Sequence, residues 1–189
     1  MANESCGACD LLTGFTLDCN EGVGGVKEIF ITNWCNFQSG ITIGVSGLIT
    51  ALPTAEIGRF QPNRNTGALT VTPTPNLENG TLYYVHQVEL TLGKLANDKK
   101  IELEKLSKAK VIVFIRLYDD QILCVGRTDG AFLTAGSYQS GKAKGDLNGY
   151  QITLTAEEPN QPDFLTPFDP NTENPFDNFA GITCVPAYV

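Results

Sequence analysis

Three sets of residues have types and spacings that could do chemistry: six cysteines, one histidine and a glycine-rich loop ending in lysine. Cys6 and Cys9 form a C-x-x-C pair, Cys19 and Cys35 follow, and Cys124 and Cys184 stand far away. A zinc site needs four ligands and usually shows two close pairs. Here the second pair is missing, and the single histidine, His86, lies inside a strand-like run. Cys6, Cys9 and Cys19, with Cys35 as a fourth, are therefore the candidate metal set. The better reading is small thiols in an arm and buried thiols in a core, with no metal. A thioredoxin-like role would require the C-x-x-C to open a helix after a buried strand, which the run 1–22 does not offer.

The loop Gly136-Ser137-Tyr138-Gln139-Ser140-Gly141-Lys142 fits the G-x-x-x-x-G-K pattern that cradles phosphates. The next residue should be Ser or Thr to hold magnesium, and it is Ala143. Gly145, Asp146, Asn148 and Gly149 would also break the helix such a loop must open. A glycine-rich turn between strands accounts for the segment better. Gly22–Gly25 precedes a strand and not a helix, so it is no dinucleotide fingerprint. Nucleophilic catalysis would have to use His86, whose mid-strand setting reads as a sheet-face residue. The Asn79-Gly80-Thr81 sequon carries no weight without a secretory signal. The carboxylates show no pairing. Neither an enzyme nor a cofactor is expected.

Composition narrows the field further. The chain of 189 residues has a formal net charge of -8, which argues against binding that neutralises phosphates. An acidic wall does suit a conduit that must not hold DNA. No apolar stretch approaches the roughly 20 residues that span a bilayer. The start, Met-Ala-Asn-Glu-Ser-Cys, lacks the basic patch and apolar run of a secretory signal. Folding in a cytoplasm is the expectation, with no membrane partner. The 19 glycines and 10 prolines, with 10 Phe and 6 Tyr, favour strands and turns.

Along the chain, residues 1–22 read as an N-terminal arm and 23–158 as a β domain. A β-rich run covers 26–33, and two short strands about a turn fit 41–52. Residues 59–80 alternate β-branched and small polar types, which predicts a long exposed hairpin that needs a neighbour to cover it. Arg64, Asn65 and Thr66 in that hairpin are the expected subunit-pairing residues. Alternation is clearest at 81–93, where Val88, Leu90 and Leu92 interleave with Gln87, Glu89 and Thr91. At 97–106 the period changes to that of a helix, with Asn97 or Asp98 as cap and Leu103 and Leu106 on one stripe. A buried strand at 111–117, a turn at Asp119-Asp120 and a return at 121–126 form a hairpin. Further strands are expected from 131 and at 149–157. Many short strands with one helix predict a mainly β fold, a sandwich or barrel with a packed α-helix. The segment 159–189 opens with five prolines within residues 159–179, which forbid regular structure there, and the triplet Pro-Phe-Asp occurs twice, at 167 and 175. This segment reads as a C-terminal arm that docks Phe168 and Phe176 on a neighbouring subunit.

In order and spacing, several runs resemble a family of virion structural proteins of Bacteroidetes phages, including crAss-like phages. The likeness covers about residues 22–165 and rests on four landmarks. They are Gly24-Gly25-Val26-Lys27-Glu28-Ile29-Phe30-Ile31-Thr32-Asn33-Trp34, then Arg64-Asn65-Thr66-Gly67-Ala68-Leu69, then Gln87-Val88-Glu89-Leu90-Thr91-Leu92 with the helix after it, and the run 140–150. The resemblance implies a tail-tube-like β fold that assembles into rings between portal and tail tip. It implies a virion protein of the tail or neck, assembled in the host bacterial cytoplasm. Its partners would be its own copies, adjacent tail and portal-vertex proteins, and genomic DNA passing through without sequence-specific contact. The Cys-rich start and the Pro-Phe-Asp tail have no counterpart in that pattern. A capsid-decorating or glycan-binding β-sandwich is the second reading, and it would require exposed aromatics clustered on one face.

Overall fold

The computed structural model describes residues 24–37, 39–169 and 172–186, so the arm at 1–22, with Cys6, Cys9 and Cys19, lies outside it. The chain opens with β1 (Val26–Asn33), which passes directly into the one-turn α1 (Trp34–Phe37). β2 (Thr42–Ile43) and β3 (Ile49–Ala51) form the small hairpin expected about the Ser46-Gly47 turn. Next come β4 (Ala55–Phe60), β5 (Ala68–Asn76), β6 (Thr81–Gly93) and α2 (Asn97–Leu106). β7 (Val111–Leu117) and β8 (Ile122–Val125) make the hairpin turned at Asp119-Asp120, with Asp120 at φ 61°. β9 (Phe132–Gln139), β10 (Gly149–Glu158), β11 (Asp163–Phe164) and β12 (Ile182–Val185) complete the order.

Apart from the two-stranded β2–β3 sheet, these strands form a six-stranded sheet, β11-β8-β7-β1-β4-β12, and a four-stranded sheet, β5-β6-β10-β9. The four-stranded sheet is antiparallel throughout, and in the larger sheet only β12 on β4 is parallel. The fold is mainly β, two separate packed sheets that do not close into a barrel.

Between the sheets lies a core of Ile29, Ile31, Val113 and Ile115 against Val88, Leu90, Ile152 and Leu154. The period-2 reading of 81–93 is correct: His86, Val88, Leu90 and Leu92 are buried while Glu89 is exposed. Helix α2 closes this core with Leu106 buried and Leu103 partly so, as the helical stripe requires. Its N-cap is Ala96 and not Asn97 or Asp98, with no side-chain cap. The Tyr150 hydroxyl donates to the Ala96 carbonyl at 3.2 Å, and the Lys99 ammonium donates to Gly93, so tertiary contacts anchor the helix start.

The other face of the six-stranded sheet carries a second core, which the sequence pattern does not reveal. β1 and β7 are buried almost end to end, so both of their faces need a cover. Phe30, Ile57, Ile112 and Phe114 meet Phe37 of α1, Ile49 of β3, and Leu165, Phe168, Phe176 and Phe179 of the C-terminal segment. Phe176 stands edge-on to Phe30 and Phe114, with centroids 5.0 and 5.5 Å away. The expectation that Phe168 and Phe176 dock on a neighbour is thereby corrected: both are buried in their own chain. The segment 159–189 is likewise more than an arm, since β11 and β12 are strands of the larger sheet. Its Pro-Phe-Asp stretch carries no strand or helix among the described residues, as its prolines dictate. Gly181, at φ 90°, feeds β12 into place, and a Cβ there would collide with the Thr54 hydroxyl.

Phe176→Ala should therefore destabilise the isolated chain by about 3–5 kcal/mol, the usual cost of deleting a buried phenyl ring. Urea unfolding of the monomer measures it. A change near zero would show that the ring is not part of the subunit's own core.

Candidate functional site

Four polar features could carry function, and each can be built from the strands that place it. The first is a buried charge cluster on the second-core face of the larger sheet. A register shift between Val26 and Glu28 in β1 puts Glu28 opposite Arg116 of β7. The Glu28 carboxylate accepts from Arg59 Nε at 2.9 Å, Gln61 Nε2 at 3.2 Å and Arg116 Nη1 at 3.2 Å. Arg116 also donates to Asp120 at 2.8 Å and to the Glu173 carbonyl at 3.2 Å, and its guanidinium lies 4.8 Å over the Phe168 ring. Partial burial raises the Asp120 pKa, but the bonds and charges of Arg116 and Lys27 outweigh it and hold the carboxyl below its ordinary range. Every partner in the cluster is fixed by another, so it serves as a clasp for the C-terminal segment.

The second feature is His86. It is 1% exposed on the inner face of β6, opposite Val71 and Ala156, and among the described residues neither ring nitrogen has a partner at good hydrogen-bond geometry, the Asn160 backbone being a polar influence on it. Burial lowers its pKa below the usual 6.5, against the opposing pull of Glu158, the Asn160 backbone and Asp163. Glu158 is itself engaged, accepting from the Thr128 and Asp129 amides at 3.0 and 2.9 Å.

The thiols form the third set. Cys124 and Cys184 are buried, as expected of core thiols, and Cys35 is exposed. Burial pushes the Cys184 thiol up to about 11 and Cys124 higher still, which makes both poor nucleophiles. Among the described residues no three His, Cys, Asp or Glu side chains come together to hold a metal.

Fourth is the lysine loop. Residues 136–139 belong to β9, and the turn is confined to residues 140–148. The Asp146 carboxylate accepts from the amides of Lys142 and Ala143, both at 2.8 Å. Those bonds hold the Asp146 pKa below its ordinary range. The loop's own carboxylate thus takes the amides that a bound phosphate would need.

Arg64, Asn65 and Thr66, the expected subunit-pairing residues, do not sit in a hairpin. β4 and β5 belong to different sheets, so Arg64, Asn65 and Thr66 form a crossing turn between sheets and not a hairpin. Asn65 has φ 61°, the Thr66 hydroxyl donates to the Asn63 carbonyl at 2.6 Å, and the Asn63 amide donates to Thr91 at 2.9 Å. All three residues are exposed. The long hairpin is instead β5–β6, in register from Ala68↔Glu89 to Asn76↔Thr81. Pro73 and Pro75 occur on β5, an edge strand, where proline is tolerated.

The opposite edge, β9, is unlike it. Phe132–Gln139 has no charge and no proline, and all of it except Leu133 is exposed. Such an edge is a template for another strand. Its sequence signal is eight uncharged residues at 132–139, but the glycine pattern there reads as a loop. The outer face of the four-stranded sheet shows Thr70, Thr72, Gln87, Glu89, Thr153, Thr155 and Glu157, and no strand of this sheet contains a lysine or arginine.

Comparison of the chain with protein-family models, with curated proteins and with solved structures found no match.

His86 generates a pH prediction with a definite sign. Its pKa is lower folded than unfolded, so the unfolded chain takes up a proton first. Stability is therefore full above the unfolded value near 6.5 and is lost as pH falls below it. His86→Leu should flatten the fall in stability between pH 7 and 5, read by urea unfolding at each pH. An unchanged slope would contradict the assignment.

Proposed function

We propose that this chain is a structural subunit of a bacteriophage tail or neck, assembling into a ring or stacked tube that conducts DNA during ejection. The family resemblance supplies the phage setting. The observation that carries the assembly is the four-stranded sheet: antiparallel, without cations in its strands, and open at both edges among the described residues.

An even number of alternating strands has a geometric consequence. When β9 of one copy faces the β5 side of the next, strand directions still alternate, so copies related by rotation can extend one antiparallel array. A contact between two unlike edges is heterologous and closes into a ring if the rotation allows. Arg64, Asn65 and Thr66 lie in the turn that leads into β5, which puts them near the junction in such an array. A threonine-rich face with only carboxylate charges has nothing to neutralise phosphates, which suits a wall that DNA must pass.

A decorating or glycan-binding module remains the second reading, because of one cleft. Tyr83 and Phe132, 37% and 49% exposed, line a cavity of about 470 Å³ with Asp129, Thr155 and Glu157. Aromatic faces beside carboxylates suit a sugar.

Negative-stain electron microscopy of the purified full chain at high concentration tests the choice. Rings or tubes are expected. A dispersed monomer that binds on a glycan array, and loses that binding in Tyr83→Ala, would overturn the assembly reading.

A further inference from the structure

Between α2 and the inner side of β9 runs an apolar groove of about 580 Å³. Leu95, Leu103, Leu133, Tyr138, Tyr150 and Ile152 line it. It lies beside the edge that is ready to accept a strand, and Tyr138, 79% exposed, stands at its rim with the Tyr150 ring 6.3 Å away. A strand added along β9 would turn alternate side chains into this groove.

The sequence contains a segment of that kind outside the described residues. In Leu11-Leu12-Thr13-Gly14-Phe15-Thr16-Leu17, the positions 11, 13, 15 and 17 fall on one side of an extended chain, three of them large and apolar. The run has neither charge nor proline, and Asp10 and Asp18 bound it. Exposed Lys142 and Lys144 lie just beyond the end of β9, which gives the acidic flanks a complementary neighbour.

Where the chain enters the fold decides whose segment fills the groove. Val26 packs on Gly67, next to the first residue of β5, and a Cβ on Gly67 would stand 2.9 Å from the Val26 side chain. That is the β5 side of the sheet. A fifth strand beyond β9 would lie about 19 Å away, four strand spacings across the sheet. Residues 18–23 reach about 23 Å at full extension, which leaves little slack to pass round the domain. In the rotational array, the β5 side of one copy faces β9 of the next. The neighbour's groove is therefore the nearer acceptor.

On these grounds, and resting on the ring reading above, we infer that residues 11–17 of one copy add as a strand to the β9 edge of the adjacent copy. Phe15 and Leu17 fill the groove between β9 and α2. The edge prolines of β5 then cost nothing, because the donated strand and not β5 supplies the partner for β9.

Two full-length variants test this, Phe15→Asp in the donor run and Tyr138→Asp at the acceptor groove. Tyr138 is exposed and outside both cores, and far-UV circular dichroism with urea unfolding checks that each variant folds as the parent does. Each alone is expected to behave in sedimentation as the 20.4 kDa monomer where the parent assembles. Mixed one to one, they are expected to form heterodimers, since one intact donor meets one intact acceptor. Assembly of Phe15→Asp like the parent, or a mixture that stays monomeric, would overturn the inference. If the parent and Phe15→Asp both form rings, strand donation fails and the ring reading stands. If the parent forms chains or dimers but no rings, and either variant disperses them, donation stands and the ring reading fails. A parent that stays monomeric sinks both.

Discussion

A six-stranded sheet that is apolar on both faces has to be covered twice, and this requirement organises the molecule. β1 and β7 lie at its centre and bury nearly every side chain. On one side the four-stranded sheet and α2 supply the cover. On the other, no second sheet is available, so α1, the β2–β3 hairpin and the C-terminal segment are gathered onto it. The one polar break in that second face, Glu28 with Arg59 and Arg116, reaches out to hold the same segment through Phe168 and the Glu173 carbonyl. Burying these charges is tolerable because each is paired and hydrogen-bonded.

Among the described residues, this division of cover leaves the four-stranded sheet with one face and two edges unspent. The larger sheet ends in the short strands β11 and β12, which give little to a partner. The smaller ends in two long strands of opposite character. β5 is blunted by Pro73 and Pro75, whereas β9 offers an uncharged, exposed backbone beside an apolar groove. Unlike edges favour a directional contact over a self-complementary one, and directional contacts build rings and tubes. The absence of lysine and arginine from all four strands gives the same sheet a face that repels phosphate.

The mainly β class, the helix at 97–106 and the strands at 81–93 and 111–125 were legible in the sequence because their periodicity is local. Val88, Leu90 and Leu92 alternate with polar residues, and Leu103 and Leu106 fall on one helical stripe. What was not legible depends on distant pairing. Phe168 and Phe176 have the composition of a docking surface, and only the two-faced burial of β1 and β7 shows that their partner is their own chain. Arg64, Asn65 and Thr66 resemble a hairpin tip until β4 and β5 are assigned to different sheets. At β9, Gly136 reads as a loop glycine together with Gly141 of the following turn, which concealed how far this exposed edge strand runs.

The proposed assembly turns on the β9 edge. Hydrogen exchange of the backbone amides, compared between the assembled protein and its dispersed monomer, tests it most directly. Those amides in 133–139 that point away from β10 should exchange quickly in the monomer and slow by orders of magnitude on assembly. Over 111–117, at the centre of the larger sheet, protection should be high in both states. Equal exchange at 133–139 in the two states would contradict the account.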